Sequence, residues 1–305
     1  MSGSGGLTMQ ARATVRLLMC PPEHFAVTYA INPWMDPHDW ARDDRALVSQ
    51  SQREWAGLCR AIRTAGAEIE ILPAVRGLPD LVFTANAAVV LDRKVLLSRF
   101  RFAERQGEEP HAEAAFRVLQ ARGIVDAVSR LPDGVMLEGA GDCVWDRNRQ
   151  LFWMGYGPRS DAAARAIVAD TFGADVLALE LADARFYHMD TALCPLSGGE
   201  VLYVPQAFTA AGVTAIRDRV APEQRIEIAP DDAARLAANA VCIDTTVVSA
   251  GMSDRLRRSL EERGYRVIIT PLSSFLRSGG GAFCLTLRLD HRSAGKSLPQ
   301  LRRVG

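Results

Sequence analysis

Several stretches of the sequence hold residue types that can do chemistry together. In "SGGGAFCLTL", Ser278 to Leu287, one thiol, Cys284, stands where a glycine run gives way to an apolar run. Glycine has no Cβ, so such a run lets backbone come close to another group. A cysteine just beyond it is either a small buried hydrophobe or a nucleophile. In "RFYHMDTALCPL", His188 and Asp190 lie two apart, so their side chains face the same way if the segment is extended. A carboxylate beside an imidazole favours the imidazolium, and an imidazolium near a thiol favours the thiolate. "LEGAGDCVW" adds Glu138 and Asp142 around two glycines. Alone these are turn carboxylates; beside a histidine, Glu138 suits the group that fixes the ring's tautomer and charge. Asp142 suits a hydrogen-bond acceptor for a cationic substrate.

Other polar residues can complete a pocket. Asn86, in "LPDLVFTANAAVV", marks the entry to a strand, where asparagine is usually a turn or cap residue. Arg105, in "ERQGEEP", and Arg159, in "GYGPRS", follow strands. Exposed, they are solvated charges; in a pocket, each guanidinium fork can grip a carboxylate. Carboxylates suit a planar cation and a thiol suits attack on a trigonal carbon. A substrate with both a guanidinium and a carboxylate uses every group, and arginine or a derivative has both. Phosphate cradles, dinucleotide fingerprints and metal-ligand spacings are missing, so neither a cofactor nor a metal is expected.

The elements that must position these groups repeat. "NAAVVLDRKVLLSRF", "GDCVWDRNRQLFWMGY", "TALCPLSGGEVLYVP" and "NAVCIDTTVVSAG" each read as a hairpin, followed by an amphipathic helix and one more strand. Successive hairpins lie roughly 50 residues apart, a spacing found in radial or stacked arrays. "CLTLRLD" with the N-terminal "TVRLLMC" and "QREWAGLCRAIRTAGAEIEILP" supplies a fifth unit by joining the chain's two ends. The expected fold is α/β, with five ββαβ units around a pseudo-axis; an ordinary mixed α/β domain is the alternative. In a ring, the loops leaving the units converge, which brings Asn86, Glu138, Asp142, His188, Asp190 and Cys284 to one pocket.

Composition sets bounds on the rest. The 305 residues are 48% hydrophobic and 24% charged, with 36 basic and 36 acidic side chains, so no nucleic-acid or anionic-membrane surface is implied. No apolar run approaches the roughly 20 residues of a membrane span, and the start does not read as a signal peptide. Six cysteines, Cys20, Cys59, Cys143, Cys194, Cys242 and Cys284, have no CxxC spacing, which points to free thiols in a reducing cytoplasm. A disordered leader is expected over 1–12, one catalytic domain over 13–290 and a disordered tail over 291–305.

The pieces "MCPPEHF", "INPWM", "PDLVFTANA", "EGAGD", "FYHMDT" and "GGGAFCLTL" together resemble the guanidino-group-modifying enzymes, whose fold is the five-bladed α/β propeller, or pentein. Among arginine deiminases, dimethylargininases, amidinotransferases and arginine dihydrolases, the match is strongest to the dihydrolases. The asparagine at 86, where deiminases carry aspartate, and the retained pair His188 and Asp190 both point that way. The resemblance implies Cys284 as nucleophile, His188 as general acid/base with Glu138 paired to it, and Asp190 as a guanidinium ligand. It places Arg105 and Arg159 at the substrate's α-carboxylate, Asn32 at a dihydrolase substrate position, and Ser278 where a backbone carbonyl meets the ligand. The implied activity converts free L-arginine to ornithine, carbon dioxide and two ammonia through a cysteine amidino-thioether. Deiminase or dimethylargininase chemistry, or a silent arginine- or partner-binding pentein, are the alternatives. The implied partner is a small molecule, with self-association left open and no ornithine-processing domain expected after Gly305.

Overall fold

A computed structural model describes residues 14–294. The chain opens with strand β1 (Arg16–Met19), helix α1 (Asp44–Thr64) and strand β2 (Glu68–Ile71), which pairs parallel to β1. Four complete units follow. The first has β3 (Ala88–Leu91), β4 (Lys94–Leu97), α2 (Glu109–Ala121) and β5 (Ala127–Ser129). The second has β6 (Cys143–Asp146), β7 (Leu151–Tyr156), α3 (Ala164–Phe172) and β8 (Asp175–Glu180). The third has β9 (Leu193–Pro195), β10 (Val201–Tyr203), α4 (Ala210–Arg219) and β11 (Arg225–Glu227). The fourth has β12 (Val241–Ile243), β13 (Thr246–Ser249), α5 (Asp254–Glu261) and β14 (Arg266–Ile269). Last comes β15 (Leu287–Arg288), antiparallel to β1, which completes a fifth unit from both ends of the chain.

Each unit forms its own three-stranded sheet, with an antiparallel hairpin and a third strand parallel to the second. This is the expected five-bladed α/β propeller. Burial runs from inside to outside as the residue types dictate. The first strands β3 (AVVL) and β6 (CVWD) are buried along their whole length, whereas the third strands β2 (EIEI) and β14 (RVII) expose both ends. The helices cover the blades and end where the sequence stops them: Gly173, at φ 63°, caps α3, and the hydroxyls of Thr209 and Ser253 cap the starts of α4 and α5.

The expected leader at 1–12 and positions 295–305 lie outside the described residues. Three of the first four residues of the expected tail, His291, Ser293 and Ala294, bond neighbouring hairpin turns. The His291 carbonyl accepts the Asp92 N–H, and the Asp92 carboxylate accepts the Ser293 N–H and hydroxyl. No helix among the described residues is long and apolar enough to cross a membrane.

Candidate active site

The strands nearest the axis are each entered through a tight turn, and those turns deliver the polar groups. One-turn helices at Thr84–Ala87, Gly139–Asp142 and Met189–Ala192 precede β3, β6 and β9, and they carry Asn86, Asp142 and Asp190. Glu138 and His188 occupy the matching position one residue before their turns. Asn239 and Cys284 sit before β12 and β15. Nine of the ten residues singled out by sequence are at most 3% exposed; Asn32 is half-buried. Buried polar groups in such number need partners, and the partners divide them into three sets.

The first set is His188, Glu138 and Arg159. Glu138 Oε2 lies 2.8 Å from His188 Nε2 and 3.0 Å from Arg159 Nη1, while Oε1 accepts the Arg101 N–H. Burial pushes the Glu138 carboxyl up, but the Arg159 guanidinium and the His188 bond outweigh it and hold the pKa down at about 2. Burial also disfavours the imidazolium, and despite the Glu138 bond His188 falls to about 4. The resting pair is therefore carboxylate and neutral imidazole, not the imidazolium expected from the sequence. Nε2 donates to Glu138, which leaves Nδ1 with its lone pair, and Nδ1 is buried with no partner.

The second set is Cys284, Asp190 and Asn239. Cys284 Sγ lies 3.1 Å from Asp190 Oδ2 and 3.0 Å from Asn239 Nδ2. The thiol's hydrogen-bond partners are thus a carboxylate and an amide rather than His188. Burial, then the Asp190 charge, pushes the thiol pKa well above its ordinary value. Burial likewise pushes Asp190 up to about 7, and its Oδ1 is buried without a partner. Two orphaned polar atoms, His188 Nδ1 and Asp190 Oδ1, stand on the same segment as the group that holds the thiol.

The third set surrounds Arg105. Its Nε and Nη2 make a two-point bond to Glu108 at 2.8 Å each, Nη1 donates to Asn86 Oδ1 at 2.9 Å, and Phe100 stacks on the guanidinium. Arg159 donates to Glu138 and to the Ile31 carbonyl, with Phe102 and Tyr187 against its guanidinium. Both guanidinium groups thus have protein partners, and Glu108 takes the fork of Arg105, because a buried guanidinium must be neutralised within the fold. Asn86 is held at both ends, since its Nδ2 also reaches the Glu138 carbonyl at 3.4 Å. Asp80, absent from the sequence reading, is buried nearby, with Tyr29 donating to Oδ2 at 2.9 Å and the Ser278 hydroxyl 3.4 Å from Oδ1. Asn32 donates to the Ser278 carbonyl at 3.1 Å.

Asp142 is engaged by the protein. It accepts the Ser160 hydroxyl at 2.6 Å and the Met189 N–H at 3.1 Å, and burial pushes its pKa well above the ordinary value. The glycine run makes room for protein side chains. A Cβ at Gly279 would meet Trp34 and Tyr187 at 2.9 Å, one at Gly280 would meet Phe83 at 2.3 Å, and one at Gly281 would meet Asn239 Oδ1 at 2.9 Å. Asn239, Asp80 and Glu108 were missed because each is one unremarkable polar residue. The one available signal was the Ala-Asn-Ala of 85–87 recurring at 238–240 before another hairpin.

The profile of the eukaryotic N,N dimethylarginine dimethylhydrolase family matches residues 21–290. The bifunctional arginine dihydrolase/ornithine cyclodeaminase AgrE of Nostoc is 44% identical over 277 residues, covering 90% of this chain and 38% of that protein. This chain thus spans about two fifths of the length of that relative. The dimethylarginine dimethylaminohydrolase of Mycobacterium tuberculosis is 34% identical over 90% of this chain and 86% of its own. A crystal structure of the N-terminal domain of ArgZ, a cyanobacterial arginine dihydrolase, in a cysteine-to-serine mutant bound to substrate, superposes with a TM-score of 0.86. It is 40% identical and covers 92% of this chain and all of that domain.

Proposed function

The chain belongs to the N,N dimethylarginine dimethylhydrolase family of penteins, and from that premise we propose that it is a hydrolase of the guanidinium group of free L-arginine. The products are ornithine, carbon dioxide and two ammonia. The observation that carries this reading is the pair of orphaned buried atoms, His188 Nδ1 and Asp190 Oδ1, on one short segment, with the Cys284 thiol 3.1 Å from the other oxygen of Asp190. A buried carboxylate oxygen without a donor calls for a cation bearing N–H groups, and a planar guanidinium offers several.

In this reading the resting thiol is protonated, and the substrate's own charge activates it. A guanidinium docked on Asp190 offsets that carboxylate and stabilises the thiolate beside it. The thiol proton passes to His188 Nδ1, the thiolate adds to the guanidinium carbon, and the imidazolium returns the proton to the departing ammonia. Glu138, itself held by Arg159, keeps the ring in the tautomer that leaves the Nδ1 lone pair free to take that proton. Water activated by His188 then displaces the thioether. A second round at the ureido carbon releases the second ammonia and a carbamate, which loses carbon dioxide. Two waters enter for each arginine.

At the other end of the substrate, Asp80 suits the α-ammonium and the Arg105 and Arg159 guanidinium groups the α-carboxylate, with Glu108 fixing Arg105. Asn32 sets the Ser278 carbonyl against the ligand. Asn86 is the group that favours a full dihydrolase over a deiminase, because an amide tolerates a neutral ureido group that a carboxylate would repel. The six cysteines are free thiols, consistent with the reducing cytoplasm we assign to it.

The test is a product assay on purified protein with L-arginine. Ornithine with about two ammonia per arginine is the expected result, two being the stoichiometry of complete guanidinium hydrolysis. Citrulline with one ammonia would make it a deiminase. Turnover of methylated arginines alone would make it a dimethylargininase.

A further inference from the structure

Every hydrogen-bonding position of the Asn239 amide is used around the thiol. Oδ1 accepts the N–H groups of Gly281 at 3.0 Å and Cys284 at 3.1 Å. Nδ2 donates to the Asp190 carbonyl at 3.1 Å and to Cys284 Sγ at 3.0 Å. A primary amide has two donor hydrogens and two acceptor lone pairs, so the side chain is saturated. Its orientation is also decided by its surroundings. Turned end for end, its oxygen would face the Asp190 carbonyl and its NH₂ would face two N–H donors. Asn239 is fully buried, and the lack of a side chain at Gly281 is what admits it.

This one side chain ties together the entries of three blades: its own, that of Asp190 and that of Cys284. Asp190 and Tyr187, both from the segment before β9, are titratable neighbours of the sulfur, and His188 on the same segment is the group to which the proposed mechanism passes the thiol proton. An ionised Asp190 opposes a thiolate, whereas the Asn239 N–H favours it. A fixed donor aimed at charge that develops in a dry site is worth more than the same bond in water.

We propose that Asn239 is a catalytic residue, holding the Cys284 sulfur in its attacking position and stabilising the thiolate through the Nδ2–H···Sγ bond. This rests on Cys284 acting as the nucleophile toward a guanidinium. Asn239→Asp keeps the shape and replaces the donor with an oxygen. Gly281→Ala keeps the amide but pushes it, and it carries the test if Asn239→Asp does not fold.

The experiment measures the rate of Cys284 alkylation by iodoacetamide against pH, read on the Cys284 peptide by mass spectrometry, alongside arginine turnover. Asn239→Asp is expected to move the inflection to higher pH by at least about one unit and to lower kcat about 100-fold. Gly281→Ala is expected to move both in the same direction, with about a tenfold loss. Arginine affinity, measured with each change placed in a Cys284→Ser background, stays within about threefold. Alkylation profiles that superimpose on the wild type, with turnover within about threefold, overturn the proposal. Turnover by Cys284→Ser alone would overturn the functional reading instead, so the two failures are distinguishable.

Discussion

Glu138 and Asp190 are two carboxylates buried to the same degree, 0% and 1% exposed, at neighbouring entries to the same axis. Their protonation nevertheless diverges, with Glu138 held at about 2 and Asp190 raised to about 7. Burial acts on both in the same direction, so the difference comes from their neighbours. Glu138 has a guanidinium 3.0 Å away that belongs to the protein. Asp190 has a thiol, an amide and an unpartnered oxygen. One carboxylate has its cation built into the fold, and the other is complete only with a cation from outside. Stability and function are separated at these two positions, and substitutions can test that separation.

The largest expected effect is on activity at Asp190. Asp190→Asn removes the charge that receives the guanidinium and should lower kcat/KM about 1,000-fold. The same change should raise the melting temperature, by roughly 2–5 °C at pH 7.5, because it removes an uncompensated buried carboxylate. The gain depends on pH with a fixed sign. Asp190 keeps its proton to about pH 7 in the fold but only to about its ordinary 3.8 when unfolded. Between those values the native state binds the extra proton, so its stability falls as pH rises. The advantage of Asp190→Asn should therefore grow from pH 4 to pH 7 in thermal melts and then level off. A constant difference over that range would remove the assigned cause.

Glu138→Gln should do the reverse. It strands the Arg159 guanidinium in the interior, at a cost of about 3–5 kcal/mol in denaturant melts. The stability that Glu138 contributes is present above its ordinary pKa of 4.5 and is lost as pH falls toward 2, so the wild type and the variant should converge in acid. Stability equal to the wild type at pH 7 would break the comparison.

The smallest effect in overall rate, under about tenfold, is expected from Asn86→Asp, and its signature is the product. A carboxylate at 86 would form an ion pair with Arg105, lose the donor to the Glu138 carbonyl and repel a ureido oxygen. Citrulline should accumulate at the expense of ornithine. Undiminished ornithine output would count against the role given to Asn86.

Much of this was legible because it is local. Period-two hairpins and amphipathic helices mark the five units, and His188, Asp190, Glu138 and Cys284 are chemically conspicuous in short motifs. What stayed hidden depends on contacts across blades. Asn239 reaches Cys284 over 45 residues, and Gly281 looks like a ligand-facing glycine until the amide pressed against it is seen. The pairing of Arg105 with Glu108 lay three residues apart in plain view. Whether that arginine faced a ligand or its own neighbour depended on burial, which sequence does not report. The protonation states went the same way: His188 beside a carboxylate suggests a cation, and only its complete burial reverses that.

Whether Asp190 awaits a cation is tested most directly by calorimetric titration of L-arginine into Cys284→Ser at pH 6.5, in buffers of different ionisation enthalpy. If Asp190 is the carboxylate awaiting a cation, binding should release a proton as the guanidinium drives Asp190 to its anionic form. Both the release and most of the affinity should vanish when Asp190→Asn is added. Arginine binding of equal affinity in the two proteins, with no proton released in either, would contradict the account.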